Sequence, residues 1–213
     1  MDFVLFGMQG SGKGTQGKLI AERHNLLTFE TGAELRKLAQ EESDLGKKVK
    51  SIIEAGHLVS NEVVMEIIED FMNKLPAGTT VLFDGIPRKM EQAESFDTLM
   101  QKLGREFIGV LIEISESAAL QRLTTRRICE KCKEVYPAKY EGTTCKKCGG
   151  KLITRKDDNA DAIQTRLTAY SEETLPVIEK YLQEGKMIKI NGEQSIEEVD
   201  AELESALIPY LPH

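Results

Sequence analysis

The segment DFVLFGMQGSGKGT, residues 2–15, joins a short apolar run to a glycine-rich loop that ends in a lysine and a helix-like stretch. The apolar run predicts a buried strand, and KGTQGKLIAERHN (13–25) predicts a helix. Glycines let the backbone of such a loop wrap closely around phosphate oxygens, and the helix start adds positive potential. Lys13 has the length to reach the outer phosphates. The strand–loop–helix context favours a phosphate-binding loop over a glycine-rich turn without a ligand.

The same kind of apolar run recurs four more times along the chain. Most of these runs are nearly continuous rather than alternating, as in strands that are buried on both faces. Helix-like segments, such as 61–75 and 195–207, lie between them. This repetition predicts an α/β fold of the P-loop NTPase type, in which helices flank a five-stranded parallel sheet. The four runs are LLTF (26–29), TTVLFDG (79–85), FIGVLIEIS (107–115) and MIKING (187–192).

Two regions interrupt the strand–helix rhythm. Residues 30–60 predict a pair of short helices that are broken at Gly46 and Gly56. Residues 122–158 predict an irregular insert with turns. A chain of 213 residues suits one domain that carries small insertions.

The loop departs from the usual nucleotide-binding pattern at one position. Gly14 stands where a serine or threonine hydroxyl would bind Mg²⁺ directly, and Thr15 comes one residue later. We therefore expect the metal to be held mainly by phosphates and water. Asp84 ends the buried run VLFDG and would steer those waters through its carboxylate, although a plain strand-end aspartate is the alternative.

All four cysteines lie within residues 128–150, as two Cys-x₂-Cys pairs that are twelve residues apart. Each pair can aim two thiolates at one ion, and two pairs complete a tetrahedron, so the spacing predicts a structural Zn²⁺ site. Disulfides, a redox dithiol and unligated cysteines are the alternatives. The predicted ligands are Cys129, Cys132, Cys145 and Cys148.

Charge is distributed unevenly along the chain. The net charge is −7, yet residues 122–156 carry +8 and the remainder −15. The acidic total argues against a protein that coats nucleic acid, and the basic segment suggests an anionic ligand. No run of about eighteen apolar residues predicts a membrane span. The start DFVLFG does not resemble a signal peptide, so we expect a cytoplasmic protein with reduced thiols.

Several short motifs follow one another in a characteristic order. They are GxxGxGKGTQ (7–16), TGxxLR (31–36), GHLV (56–59), FDGIPRxxxQA (83–93), RLTTRR (122–127), TRKDD (154–158), RL (166–167) and NGE (191–193). This ordered set resembles the adenylate kinases, of the bacterial type with a long lid. The resemblance implies a core domain (1–29, 60–121 and 159–213), a helical AMP-binding domain (30–59) and a zinc-ribbon-like lid (122–158).

The resemblance also implies a reaction, reversible phosphoryl transfer from Mg²⁺-bound ATP to AMP that gives two ADP, by a monomeric enzyme. A phosphate oxygen of AMP is already an anionic nucleophile, so the chemistry needs cations rather than a general base. A lid that shuts over both nucleotides would exclude water. The implied catalytic residues are Lys13, Arg88, Arg126, Arg155 and Arg166.

The donor nucleotide would lie between the glycine loop and the lid. Arg122 would lie along the adenine of ATP, and the lid strand would approach the ribose. The implied ATP-binding residues are Gly10, Ser11, Gly12, Lys13, Gly14, Thr15, Arg122, Arg126, Val135, Tyr136 and Gln194.

The acceptor would lie against residues 30–59 and the segment after Asp84. Arg88 can grip a phosphate with its planar fork, and Gln92 offers a donor and an acceptor to the edge of adenine. Ile86 (usually Phe), Gln9 (usually Pro) and Ser60-Asn61 (usually Pro-Asp) depart from the family pattern. The implied AMP-binding residues are Thr31, Arg36, His57, Leu58, Val59, Gly85, Ile86, Pro87, Arg88, Gln92, Arg155 and Arg166.

Two other functions stay open from the residues. A kinase for UMP, CMP or GMP would need few changes, because acceptor choice depends on a few contacts. A zinc-ribbon NTPase that binds nucleic acid is the alternative from another class. Tyr136 and Tyr140 are the aromatics of its ribbon and form a poor stacking platform.

Asp157 and Asp158 are expected to cap the next helix and to pair with lid arginines.

Overall fold

A five-stranded parallel sheet forms the centre of the computed structural model, which describes residues 1–137, 139–155 and 158–211. The order across the sheet is β2-β3-β1-β4-β8. This confirms the predicted parallel sheet, and each strand lies within a few residues of its predicted run. The strands are β1 (Asp2–Phe6), β2 (Leu27–Glu30), β3 (Val81–Asp84), β4 (Phe107–Glu113) and β8 (Met187–Asn191).

Burial on both faces explains why the strands are nearly continuous apolar runs. All five residues of β1 are buried. Phe3 and Leu5 belong to the hydrophobic cluster on one face of the sheet, whereas Val4 and Phe6 belong to the cluster on the other. Side chains alternate along a strand, so a strand between two helical layers needs apolar residues at every position.

Helices cover both faces of the sheet. Ile20 of α1 and Leu203 of α9 lie in one cluster, while Ile68 of α4, Phe96 of α5 and Tyr181 of α8 lie in the other. The helices are α1 (Lys13–His24), α2 (Thr31–Leu38), α3 (Asp44–Glu54), α4 (Asn61–Asn73), α5 (Met90–Lys102), α6 (Glu116–Thr125), α7 (Ala160–Ala169), α8 (Leu175–Gln183) and α9 (Ile196–Leu207). A π-helical turn (Tyr170–Thr174) joins α7 to α8.

The first insertion is the helix pair α2 and α3. Gly56 follows α3 with φ +86° and ends it, as predicted. The predicted break at Gly46 is wrong, because Gly46 lies in the first turn of α3, where its N–H donates to the capping Ser43 Oγ (3.0 Å). A β-carbon at Gly46 would lie 2.5 Å from the Glu41 carbonyl oxygen. This glycine allows a close approach of the backbone and does not break the helix.

The second insertion carries a small antiparallel sheet with strand order β6-β5-β7. The preceding helix α6 extends to Thr125, so Arg122 lies on a helix and not in the irregular segment. Buried Cys129, Tyr136, Cys145 and Leu152 form the hydrophobic cluster of this insert. Over the described residues, every helix is too short or too polar to cross a bilayer. The strands of the insert are β5 (Arg127–Cys129), β6 (Val135–Tyr136) and β7 (Leu152–Ile153).

Candidate active site

The glycine loop at the end of β1 has a backbone that few other residues could adopt. Gly7 has φ +143°, and a β-carbon there would run into the backbone oxygen of Ile112. Gly12 has φ +98° and caps the N-terminus of α1. Lys13 folds back over the loop, because its Nζ donates to the carbonyl oxygens of Gly7 (2.5 Å) and Met8 (3.1 Å). The strand–loop–helix arrangement is as predicted.

Positive charge converges on Lys13. Burial lowers the pKa of Lys13 to about 8, the charge of Asp84 opposes this shift, and the charges of Arg88, Arg166 and Arg126 add to it. A lysine surrounded by arginines loses its proton more readily, because the charged form is repelled and poorly solvated. Bringing these cations together therefore raises the free energy of the protein when no ligand is bound. A polyanion bound among these groups would relieve the cost.

Arg88 and Arg155 belong to the same group of cations. Burial lowers the pKa of Arg88, and so do the charges of Arg166 and Arg155, although Asp84 opposes them. Arg155 precedes α7, as predicted, so it does not share a helix with Arg166. Each of the five side chains predicted to be catalytic thus lies close enough to at least two others for their charges to interact.

Asp158 holds two of these arginines in place. Its buried carboxylate accepts hydrogen bonds from Arg126 Nε (2.9 Å) and Nη2 (2.6 Å), and from Arg166 Nη1 (3.0 Å). The predicted pairing of Asp158 with a lid arginine is confirmed for Arg126, and Arg166 of α7 is its second partner. The predicted cap at Asp158 is wrong, because the cap of α7 is Asn159, whose side chain accepts from Ala162 N (2.9 Å). Asp157, the other predicted partner, lies outside the described residues.

The segment after Asp84 presents Arg88 to the same cleft. Gly85 has φ +88°, and its carbonyl oxygen accepts a hydrogen bond from Arg88 Nε (2.8 Å). Buried Gln92 accepts one from the Arg88 backbone N–H through Oε1 (2.9 Å), and the bond between Ile86 and Pro87 is cis. Thr174, in the π-helical turn, donates to the Arg88 carbonyl oxygen (3.0 Å).

Thr31 contributes a buried hydroxyl to this side of the cleft. It is the first residue of α2, and its Oγ1 has no hydrogen-bond partner among the described residues. Buried polar groups are nearly always paired, so an orphaned hydroxyl calls for an explanation, and a bound ligand is one. Arg36 lies one turn further along α2.

The other predicted acceptor residues are distributed between the core and the surface. Ile86 and Val59 are buried in the main hydrophobic cluster, so their side chains contribute packing. Leu58 is half-buried and His57 exposed. The backbone of this segment, rather than its side chains, is what it could offer a nucleotide.

Arg122, a predicted ATP-binding residue, connects the glycine loop to the segment after β8. Its Nη1 donates to the carbonyl oxygens of Gly10 (3.3 Å) and Ser11 (3.4 Å), and its Nη2 donates to that of Gly192 (2.9 Å). Gln194 lies two residues further, where its Nε2 donates to Glu202 Oε2 (2.6 Å). Arg122 and the Gln194 segment therefore adjoin each other.

The four cysteines converge in the insert. Their sulfur atoms all lie within 4.8 Å of one another. Tetrahedral Zn–S bonds of about 2.3 Å would put sulfur atoms about 3.8 Å apart, so the arrangement fits a single zinc ion. Cys129 and Cys145 are buried, whereas Cys132 and Cys148 are exposed.

The structure contains two contacts that the sequence motifs did not predict. Lys18 of α1 pairs with Glu134 of the insert at 2.5 Å. The two residues are 116 positions apart, so no local pattern signals this pair. Glu30 ends β2 beside Asp84 of β3, and partial burial together with the charge of Asp84 raises the pKa of Glu30. Glu30 follows a predicted strand and precedes the predicted site residue Thr31, and this position could have identified it as a residue of the site.

A phosphate loop at the carboxyl edge of a parallel sheet, together with a group of arginines and the strand-end carboxylate of Asp84, defines a P-loop phosphotransferase. The sequence model of the family described as adenylate kinase matches residues 5–186. An adenylate kinase of Novosphingobium aromaticivorans is 37% identical over 213 residues, covering 97% of this chain and 99% of the relative.

Two further relatives extend the likeness to other organisms. An adenylate kinase of Staphylococcus epidermidis is 38% identical over 205 residues, covering 93% of this chain and 95% of the relative. One of Fervidobacterium nodosum is 35% identical over 205 residues, covering 93% and 94%. The chain belongs to the adenylate kinase family. It is a nucleoside monophosphate kinase, which transfers a phosphoryl group from ATP to AMP and gives two ADP.

Proposed function

We propose that five cations perform the transfer, namely Lys13, Arg88, Arg126, Arg155 and Arg166. The observation that carries the proposal is geometric: the buried Asp158 carboxylate holds Arg126 and Arg166 together, while Lys13 Nζ is held over the loop by the Gly7 and Met8 carbonyl oxygens. The pKa of Lys13, lowered to about 8 by burial and by the charges of Arg88, Arg166 and Arg126 against the opposing charge of Asp84, agrees with this crowding. Such crowding of like charges is unfavourable in the free protein. It suits a transferring phosphoryl group, whose charge spreads over three oxygens in the transition state.

The donor phosphates would bind the glycine loop, residues 10–15, with Lys13 and Arg126 on the outer phosphates. Arg122 and the segment at Gln194 would take the adenosine. Support for this division comes from the contacts that join Arg122 to both the loop and Gly192. Val135, 45% exposed, would face the ribose from the lid.

The acceptor AMP would bind between α2 and the segment after Asp84. The orphaned hydroxyl of Thr31 would bond to its phosphate together with Arg36 and Arg88, and Gln92 would meet its base through the amide nitrogen. Val59, Gly85 and neighbouring backbone would complete the pocket. The remaining members of this proposed pocket are His57, Leu58, Ile86, Pro87, Arg155 and Arg166.

Mg²⁺ would enter with ATP and remain bound to phosphates and water. A β-carbon at Gly14 would lie 3.7 Å from Asp84 Oδ2, so Asp84 lies opposite the position where other P-loops carry a hydroxyl ligand. Asp84 would accept hydrogen bonds from the metal's waters. The metal would neutralise charge that develops on the phosphates.

Zn²⁺ would serve structure alone. The insert is too small to hold a core of its own, and a four-thiolate site would supply the missing folding energy.

We propose that the zinc-bound insert (122–158) is a lid and residues 30–59 an AMP-binding domain, both moving against the core (1–29, 60–121 and 159–213). A four-thiolate site needs reduced cysteines, the state of cytoplasmic thiols, so we propose a cytoplasmic enzyme. Sedimentation of the 23.8 kDa chain would test the proposed monomer.

A coupled assay of ADP production with AMP, UMP, CMP and GMP, in the presence of ATP and Mg²⁺, tests the acceptor. A clear preference for AMP is expected, and equal rates with all four would refute the acceptor site. Arg88→Met should lower kcat/KM by a factor of about 100 or more, because one cation of the transition state is lost. Lys89→Met is the matched control, since Lys89 pairs with Glu173 (3.0 Å) instead.

A further inference from the structure

The hydroxyl of Tyr136 lies inside the lid and not at its nucleotide-facing surface. Tyr136 is 7% exposed, and its hydroxyl donates a hydrogen bond to Cys145 Sγ (3.3 Å). The same oxygen accepts one from the Lys146 N–H (2.8 Å). The ring packs against Tyr140, with 4.6 Å between ring centroids. The hydroxyl therefore uses its donor on a sulfur atom of the cysteine cluster.

Strand alternation sets the neighbouring residue on the opposite side. Val135 precedes Tyr136 on β6 and is 45% exposed. It lines a cavity between the lid and α1, to which Lys18 and Glu134 also contribute. Tyr136 also borders this cavity, but its hydroxyl points to the cysteine cluster, so this two-residue strand connects the cavity facing α1 to the cysteines. Whatever fixes Tyr136 also fixes the part of the lid that faces the core.

Hydrogen bonds to ligand atoms orient the ligands of a metal and tune their electron donation. Partners of this kind commonly change metal affinity by a factor of about 10–100 when they are removed. Buried Cys145 has such a partner in Tyr136, which reaches it across the turn from β6. Tyr140 is built differently, because its hydroxyl donates to the Thr144 carbonyl oxygen (2.8 Å).

We propose that Tyr136 is a positioning residue of the zinc centre, whose hydroxyl orients the Cys145 sulfur for the metal and anchors β6 to it. The proposal rests on the proposed binding of Zn²⁺ by the four cysteines. The zinc ion would then hold β6 in position in addition to stabilising the fold of the insert.

The test compares the intact wild-type chain with Tyr136→Phe, and Tyr140→Phe is the matched control. Zinc affinity is measured by competition with a chromophoric chelator, and Co²⁺ is substituted to record the thiolate-to-metal charge-transfer bands. Tyr136→Phe should weaken zinc binding by a factor of about 10–100. It should also move the charge-transfer band to longer wavelength, because a thiolate that loses a hydrogen bond donates more readily. Tyr140→Phe should leave both unchanged.

The outcomes separate this inference from the zinc proposal. A wild-type chain that takes no zinc from the chelator refutes the zinc site itself. Wild-type affinity and an unshifted Co²⁺ spectrum in Tyr136→Phe would overturn the role of Tyr136 while leaving the zinc site intact. Equal weakening in both variants without a spectral shift would also overturn it, because it would indicate general loosening of the lid. Circular dichroism of the zinc-loaded variants checks that each has folded.

Discussion

Lys18 on α1 and Glu134 in the lid form a 2.5 Å ion pair that joins the core to the lid. The pair is partly exposed, and a cavity of about 700 Å³ lies between the two parts beside it. Lys139, Lys146 and Lys147 of the lid also line this cavity. The pair therefore stabilises the lid in its position against α1.

Glu134→Gln should weaken the attachment of the lid. An exposed pair of this kind stabilises by about 0.2–1 kcal/mol, so KM for ATP should rise by a factor of up to about 5, while kcat stays equal or increases if lid opening limits turnover. The rise should be clear at low salt and fade as the Debye length falls from about 10 Å at 0.1 M to about 3 Å at 1 M. Steady-state kinetics at two salt concentrations measure it.

Glu130→Gln is the control for this change, because Glu130 is an exposed acid of the same lid and its substitution removes the same charge. It should leave KM for ATP close to the wild-type value. Equal shifts in the two variants would mean that the overall charge of the lid matters and that the pair with Lys18 does not.

A buried ion pair anchors the other end of the sheet. Asp2 is 1% exposed and accepts hydrogen bonds from Val81 N (2.8 Å), Arg105 Nε (2.7 Å) and Arg105 Nη2 (2.6 Å). Asp2→Ala removes the acceptor of the Val81 N–H and breaks the ion pair of the Arg105 guanidinium, which keeps only its hydrogen bond to the Thr79 carbonyl oxygen (2.6 Å). The free energy of unfolding should fall by about 3 kcal/mol, measured by urea denaturation. Glu106→Gln, at an exposed neighbour, should change it little.

The sheet and the phosphate loop were predictable because their signals are local. Continuous apolar runs identify strands that are buried on both faces, and the glycines of the loop are required by its backbone. The pair of Lys18 with Glu134 was not predictable, since the lid must first be folded and positioned. The predicted helix break at Gly46 was wrong for a related reason. A glycine in a sequence can indicate either the end of a helix or a close approach of two backbone segments. Only the folded structure shows that Gly46 lies close to the Glu41 backbone.

The lowered pKa of Lys13 predicts a proton linked to ATP binding. In the free chain burial lowers this pKa from 10.5 to about 8, and bound phosphates should raise it again. Below about pH 8 Lys13 is already charged, so binding takes up little proton. Above about pH 8, and below the raised pKa of the bound chain, the nucleotide-bound chain holds a proton that the free chain lacks, so affinity for ATP should fall by up to about tenfold per pH unit.

Calorimetric titration of ATP in two buffers of different ionisation enthalpy measures this proton at about pH 9, inside the window between the two pKa values. Uptake approaching one proton is expected there, and little at neutral pH. Lys13→Met should abolish the uptake, whereas Lys18→Met, at a lysine whose pKa is raised through Glu134, should retain it. Uptake that persists in Lys13→Met would assign the proton to another group.

A substitution at Thr31 should change the binding of AMP without lowering the stability of the protein. Its hydroxyl is buried and has no partner among the described residues, so the free chain carries the cost of an unsatisfied polar group. Thr31→Val removes that group at nearly constant volume, and the free energy of unfolding should stay equal or rise by up to about 1 kcal/mol. KM for AMP should nevertheless rise by about tenfold or more, because a hydrogen bond to a charged phosphate is lost.

Urea denaturation and steady-state kinetics measure the two effects of Thr31→Val separately. KM for ATP should remain near the wild-type value, because Thr31 belongs to the proposed acceptor site. Thr31→Ser keeps the hydroxyl and should keep KM for AMP close to wild type. A Thr31→Val chain with an unchanged KM for AMP would remove Thr31 from the acceptor site. The orphaned hydroxyl would then need a partner other than the nucleotide, such as a buried water.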